Sequence, residues 1–246
     1  MSAALLRLGD RELVLGRRPL LMGIVNATPD SFSDAGLYPT LADRLQRARE
    51  LLEEGADLLD IGGQSGITGT PEIAPAEEIE RVVPLVEAVA GGLDALVSVD
   101  TYKPAVAEAA LAAGARMVND VSGLRHPELA SVCARFGAAL VVMHNRSAPK
   151  QRLTDPALYG TDGPVVDVLA FLRQRTAEAI RRGVREESLV LDPGPDFAKT
   201  PAQTVDVLRR LDEVHALGRP VLLALSRKDF IGAITGRRPR ERLAGT

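Results

Sequence analysis

The sequence predicts an α/β protein folded as a (β/α)8 barrel of the TIM type, with an N-terminal β-hairpin, seven strand–helix units present and the eighth truncated. Three observations predict it. Seven short apolar runs, rich in Val, Leu and Ile, lack polar alternation, as strands buried on both faces of a parallel sheet require. Each run ends in a polar residue where strand should become loop: LLMGIV at Asn26, ADLL at Asp60, ALVSV at Asp100, ARMV at Asn119, AALVVM at His144, SLVL at Asp192 and VLLAL at Ser226. Helical stretches separate the runs, so the βα unit is the only repeat. A barrel built this way gathers its strand ends on one rim, where catalytic groups sit.

The elements follow in order. Residues 4–15 read as a hairpin, LLRL and ELVL around a Gly-Asp turn, placed to plug the bottom of the barrel. Strands are expected near 20–25, 57–61, 95–99, 116–119, 139–143, 188–192 and 220–225. Helices are expected near 41–54, 75–90, 104–113, 127–136, 164–182, 201–217 and from 239 onward. Gly55, Gly114, Gly137, Gly183 and Gly218 each close a helix ahead of a strand, as left-handed C-terminal residues do. Pro104 and Pro201 occupy first-turn positions, where a missing N–H costs little, and Thr200 is placed as an N-cap. No linker composition interrupts residues 1–246, which read as one domain. The sequence halts at RERLAGT inside an expected helix, so a final strand and helix are expected to be missing. An open sheet of seven strands would keep two edges.

Composition narrows the function. With 46% apolar and 26% charged residues the chain is an ordinary globular protein. A net charge of −3 gives no footprint for nucleic acid or an anionic membrane, and 3% aromatics without Trp gives no base-stacking platform. The single cysteine, Cys133, reads as a small core residue of a helix. The N-terminus lacks a signal-peptide layout and no apolar run spans a bilayer, so the expected compartment is the cytoplasm.

The rim carries the chemistry. MGIVNATPDSFSDAG, residues 22–36, is dense in Asn, Thr, Asp and Ser and suits a polar lid over an anionic ligand. The amide oxygen of Asn26 can ligate a hard cation such as Mg²⁺, or it can cap a turn. Asp100, Asn119 and Asp192 end three strands. Together they can accept hydrogen bonds from a ring rich in N–H donors, such as a pterin or guanine, whose N–C(NH₂)–N edge fits a carboxylate; each alone could cap its following helix. Phe197, in the polar loop LDPGPDFAK, could stack on a flat ligand, and Lys199 could be solvated or meet Asp192. Lys228, beside Ser226 and Arg227, could donate to a ring carbonyl or neutralise a phosphate. His144 reads as a capping or positioning group, since no second His or Cys has ligand spacing. Arg146, Lys150 and Arg152 read as a solvated loop.

These residues resemble dihydropteroate synthase. The motifs that carry the resemblance are MGIVNATPDSFSD (22–34), DIGGQS (60–65), VSVDTYKP (97–104), VNDVSG (118–123), LDPGPDFAK (191–199) and SRKDFIG (226–232), in the family's order along nearly the whole chain. The resemblance implies a (β/α)8 barrel, usually a homodimer, that joins 6-hydroxymethyl-7,8-dihydropterin pyrophosphate to p-aminobenzoate in folate synthesis. It implies that Asp100, Asn119, Asp192, Lys228 and Met143 hold the pterin, with Asn26 on Mg²⁺ beside the pyrophosphate. It implies that Asp30 and Asp34 act with Lys228 at the reacting centre, and that Phe32, Phe197, Ser226 and Ser65 line the aminobenzoate side. The second loop departs from the family's Gly-Gly-Glu-Ser-Thr-Arg-Pro-Gly: here it is Gly62-Gly63-Gln64-Ser65-Gly66-Ile67-Thr68-Gly69. The family's last strand carries an Arg-x-His that grips phosphate, and the sequence stops before it. The alternative reading is a paralogue that binds a pterin without condensing it. A methyltetrahydrofolate-binding barrel shares the pterin acids, but TPDSFSD and SRKDFIG point away from it.

Overall fold

A computed structural model of the protein describes residues 4–16, 18–28, 38, 40–66 and 68–246. The chain begins with the expected hairpin. β1 (Ala4–Leu8) and β2 (Arg11–Leu15) pair antiparallel, Leu8 opposite Arg11, across a turn at Gly9 and Asp10. Gly9 has φ +66°, the left-handed geometry of a tight hairpin turn. Six parallel strands follow, neighbours in chain order: β3 (Met22–Asn26), β4 (Leu58–Gly62), β5 (Val97–Asp100), β6 (Met117–Asp120), β7 (Ala139–Met143) and β8 (Leu189–Asp192). The helices between and after them are α1 (Leu41–Glu53), α2 (Pro75–Gly92), α3 (Pro104–Ala112), α4 (Glu128–Phe136), α5 (Gly163–Arg181), α6 (Pro201–Arg209), α7 (Leu211–His215) and α8 (Asp229–Thr235).

Alternation along each strand splits the core in two. One set of strand residues, including Leu59, Ile61, Val99, Leu140 and Leu191, packs outward on helix residues such as Val82, Leu85, Val106, Leu129, Cys133 and Leu172. The other set, Leu58, Met117, Ala139, Val141 and Val190, faces the barrel interior and meets Leu6 and Leu8 of the hairpin. The hairpin therefore plugs the barrel from below. Both faces are buried, which is why the runs lack polar alternation. Each fully buried Leu or Val contributes about 1.5–3 kcal/mol.

Local signals act as the sequence suggests. Pro104 and Pro201 are the first residues of α3 and α6. Thr200 and Gln203 form a reciprocal cap, Thr200 Oγ1 accepting from Gln203 N and Gln203 Oε1 accepting from Thr200 N.

Three expectations are corrected. The segment 220–225 is not a strand: it joins β8 through a single bridge, Leu191 to Val221, with Leu191 N bonded to Pro220 O and Leu222 N to Leu191 O. Among the described residues nothing pairs with its outer side or with that of β3. The ring is therefore open there, and among the described residues no backbone bond to β8 continues past Leu222. Ile24, in register with Asp60, is 54% exposed at this gap. The helix expected over 201–217 divides at Arg210, whose guanidinium forks onto Glu213. The helix expected from 239 is instead two 3₁₀ turns, because its arginine-rich stretch offers no apolar face. The helix in this region is α8, which buries Phe230 and Ile231.

Candidate active site

Parallel register sets the site. Asn26 lies opposite Gly62, Gly62 opposite Asp100, and Asp100 opposite Asn119. This row crosses four strands on the interior face. Asn119 in turn pairs with Val141, and Met143 pairs with Asp192. Met143 and Asp192 therefore stand two residues, about 6.6 Å, further toward the rim on the same face. The Asp100 carboxylate lies directly beside Gly62: a Cβ there would meet Asp100 Oδ2 at 3.6 Å, an ordinary contact.

Asp60 lies beneath the row and orients Asn119, whose Nδ2 donates to Asp60 Oδ2 at 2.9 Å. That bond fixes the amide and leaves Asn119 Oδ1, on the interior face, as a buried acceptor without a partner. A buried orphan acceptor is costly unless a ligand donor fills it. Burial raises the Asp60 carboxyl above its usual range. Asp100 is raised well above its own by burial first, then by the carboxylates of Asp60, Glu78 and Asp120. Asp120 points the other way and caps its loop through Ser122 N and Leu124 N.

The loop after β8 supplies the other wall. Asp192 is buried, and burial raises its carboxyl against the pull of Lys228; one oxygen accepts from Gly194 N at 2.7 Å. Lys228 Nζ donates to Pro195 O at 2.8 Å and stands 4.4 Å from the centre of the Phe197 ring. Burial lowers its pKa, opposed by Asp192 and Asp196. Asp100, Asn119, Asp192, Lys228, Met143 and Phe197 are thus gathered at the strand ends, and Asn26 stands at the near end of the row. Ser226 is exposed, two residues before Lys228. Ser65 is half-buried, its carbonyl accepting from Lys150 Nζ. Asp30, Phe32 and Asp34 lie outside the described residues.

The donors around Asn26 are those a hard cation prefers. Among the described residues no group of three His, Cys, Asp or Glu is poised for a metal. Two residues beyond Asn26, the Thr28 hydroxyl is buried without a hydrogen-bond partner. An amide oxygen and a hydroxyl are hard donors, and Mg²⁺ binds through few protein ligands with substrate phosphates and water completing the shell. The residues present fit such an ion.

Comparison with known proteins decides the family. The profile of the pterin binding enzyme family matches residues 22–246. A dihydropteroate synthase of Bacillus subtilis is 42% identical over 230 residues, 93% of this chain and 77% of that protein. The chain belongs to the dihydropteroate synthase family. A dihydropteroate synthase of Xanthomonas albilineans solved with 4-aminobenzoic acid superposes with TM-score 0.87 at 41% identity, covering 99% of this chain and 86% of that one. The Burkholderia cenocepacia enzyme complexed with 7,8-dihydropteroate gives TM-score 0.86 at 40% identity, covering 99% and 84%.

This dihydropteroate synthase family member carries two polar networks that single-residue reading missed. In the first, Gln64 Nε2 donates to Tyr102 Oη at 2.7 Å, while its Oε1 accepts from Ile73 N and Lys103 Nζ. Lys103 also donates to Ile73 O and to buried Glu78, both at 2.7 Å. The atypical second loop is thereby pinned at each end. In the second, Lys199 is buried and donates to His144 Nδ1 at 2.7 Å, while His144 Nε2 meets Asp167 Oδ2 at 2.8 Å. Arg146, expected in solvent, forks onto the same carboxylate. Burial brings Lys199 down to about 7, opposed by Asp192. Burial likewise brings His144 down to about 4 against the Asp167 hydrogen bond. Burial opposes charge on Asp167, but hydrogen bonds from His144 and Arg146 outweigh it and hold the carboxyl far below its usual range. The available sequence signal was a Lys in a Gly-Pro loop facing a strand-end His; their 55-residue separation hid the pairing.

Proposed function

We propose that the chain condenses 6-hydroxymethyl-7,8-dihydropterin pyrophosphate with p-aminobenzoate, giving 7,8-dihydropteroate and pyrophosphate in folate biosynthesis. The observation that carries this is the convergence of Asp100, oriented Asn119, Asp192 and Lys228 on one interior face, with the Asn119 oxygen lacking a donor. A pterin supplies the missing N–H groups. Asp100 and Asp192 accept from its nitrogen-rich edges, Asn119 Oδ1 accepts one further hydrogen bond, and Lys228 donates to a ring carbonyl or nitrogen. Met143 packs on the ring.

The reaction breaks the exocyclic C–O bond to pyrophosphate and forms a C–N bond to the aromatic amine, whose surplus N–H proton is released to water. The electron-rich pterin supports the positive charge that develops at carbon. Mg²⁺ held by Asn26 would offset charge on the departing pyrophosphate. The chain itself contributes positioning and exclusion of water, with Lys228, Asp30 and Asp34 at the reacting centre. Phe32, Phe197, Ser226 and Ser65 would guide the aminobenzoate. No protein nucleophile is needed. The enzyme would act in the cytoplasm as a homodimer. Among the described residues no helix is long and apolar enough to cross a membrane, and Ile234, 66% exposed near Ala202 and Val205, offers an apolar face to a second copy.

The test mixes the protein with pterin pyrophosphate, Mg²⁺ and p-aminobenzoate and measures pyrophosphate release with dihydropteroate formation. Stoichiometric release supports the synthase. Ring binding without release supports the non-catalytic alternative, for which the altered loop at Gln64 and Gly66 speaks. Neither binding nor release rejects both.

A further inference from the structure

The loop between Asp192 and Thr200 holds an unusual backbone. Gly194, Asp196 and Ala198 have φ of +65°, +64° and +52°. For Asp and Ala this left-handed geometry costs of order 1 kcal/mol each, and it persists only where surroundings enforce it. Asp196 is held by Thr204 Oγ1 and Phe230 N, and Ala198 O by Tyr159 Oη. The interior of the loop is closed by one group. Lys199 Nζ donates to Gly194 O at 3.0 Å and to Phe197 O at 3.1 Å, and its third proton goes to His144 Nδ1. The loop packs so tightly here that a Cβ on Gly194 would fall 2.1 Å from His144 O.

The direction of the third bond is forced. Asp167, held ionised by Arg146, can only accept, so His144 carries its proton on Nε2. His144 Nδ1 is then an acceptor that demands a donor. Asp167 on α5, His144 after β7 and Lys199 after β8 form one buried chain that ends on the carbonyls of the loop. Those carbonyls flank Pro195 O and the Phe197 ring, the two groups that hold the Lys228 ammonium.

We propose that Lys199, oriented by His144 and Asp167, is a positioning residue that shapes the loop 193–199 and so sets the Phe197 ring for the aromatic amine. The assignment to the amine side rests on the proposed synthase reaction; the shaping of the loop does not.

The test uses the whole chain and Lys199→Met. In steady-state assays, KM for p-aminobenzoate rises about tenfold while KM for pterin pyrophosphate stays within about twofold, the pattern of lost uniform binding to one substrate. Equal rises in both, or no change in either, overturn the proposal. Native-state hydrogen exchange reads the loop directly: the Phe197 amide, bonded to Gly194 O, exchanges faster in Lys199→Met while strand amides of β7 do not. Uniform exchange changes, or none, also overturn it. If the variant does not fold, nitrogen NMR of the unaltered protein decides: a His144 ring protonated only on Nε2 supports the chain of bonds, and a proton on Nδ1 breaks it. If the unaltered protein shows no turnover, the synthase reading falls, while the exchange and NMR results still judge the role of Lys199 in the loop.

Discussion

His144 makes stability depend on acid in a way that can be isolated. Its ring is fully buried, and burial lowers its pKa from 6.5 to about 4. The unfolded chain therefore takes up a proton near pH 6.5 that the folded chain refuses until about pH 4. The unfolded state binds more protons across that window, so stability rises with pH there and is lost on acidification. At 1.36 kcal/mol per unit the full window is worth about 3 kcal/mol. The perturbation is His144→Gln, whose carboxamide keeps one donor for Asp167 and one acceptor for Lys199 but does not titrate. Urea unfolding of both proteins at pH 7 and at pH 4.5 gives the comparison. The raised carboxyls of Asp60, Asp100 and Asp192 have the opposite sign, gaining stability as pH falls, but they are common to both proteins and cancel in the difference. The unaltered protein should lose about 2–3 kcal/mol more than the variant between the two pH values. Equal losses would refute the assignment of a neutral, buried His144.

Asp100→Ala should weaken binding of pteroic acid at least about 100-fold by calorimetry, with stability changed by no more than about 1 kcal/mol, because this carboxyl is already crowded by Asp60 and Glu78; unchanged affinity would remove Asp100 from the site. Gly194→Ala combines φ +65° with a Cβ placed 2.1 Å from His144 O, so denaturant unfolding should show a loss of about 2–4 kcal/mol. Lys103→Met leaves Glu78, whose side chain is 2% exposed, without its cation, and should cost about 3–5 kcal/mol. Adding Glu78→Gln should recover most of that loss, and a double variant as unstable as the single one would contradict the pairing.

The sequence carries the site well where chemistry sits at strand ends. Asn26, Asp100 and Asn119 are separated by many residues, yet a parallel barrel aligns strand termini by register, so a polar residue closing an apolar run is placed by topology alone. Asp192 follows the same rule, two residues nearer the rim, whereas on β7 the interior position falls to Met143 and the polar His144 that closes the run turns to Asp167 and Lys199. Pairings across the fold are less visible. Nothing local distinguishes Lys199 from a solvated loop lysine, because its acceptors are two carbonyls of its own loop and a histidine on another strand. Gln64 looks like a change in the family motif, whereas its role depends on Tyr102, Lys103 and Ile73. The segment 220–225 has the apolar content of a strand, but among the described residues its pairing with β8 is one bridge at Val221, and nothing in its composition marks where a ladder stops. The short α8 escapes notice because two buried residues, Phe230 and Ile231, set no period.

Convergence of distant strand ends on one ring is most directly tested by a crystal structure with pteroic acid bound. The nitrogen-rich edges of the pterin should lie on Asp100 and Asp192, with Asn119 Oδ1 accepting from the ring and Lys228 Nζ donating to it. A ring bound elsewhere, leaving Asn119 Oδ1 without a donor, would contradict the account.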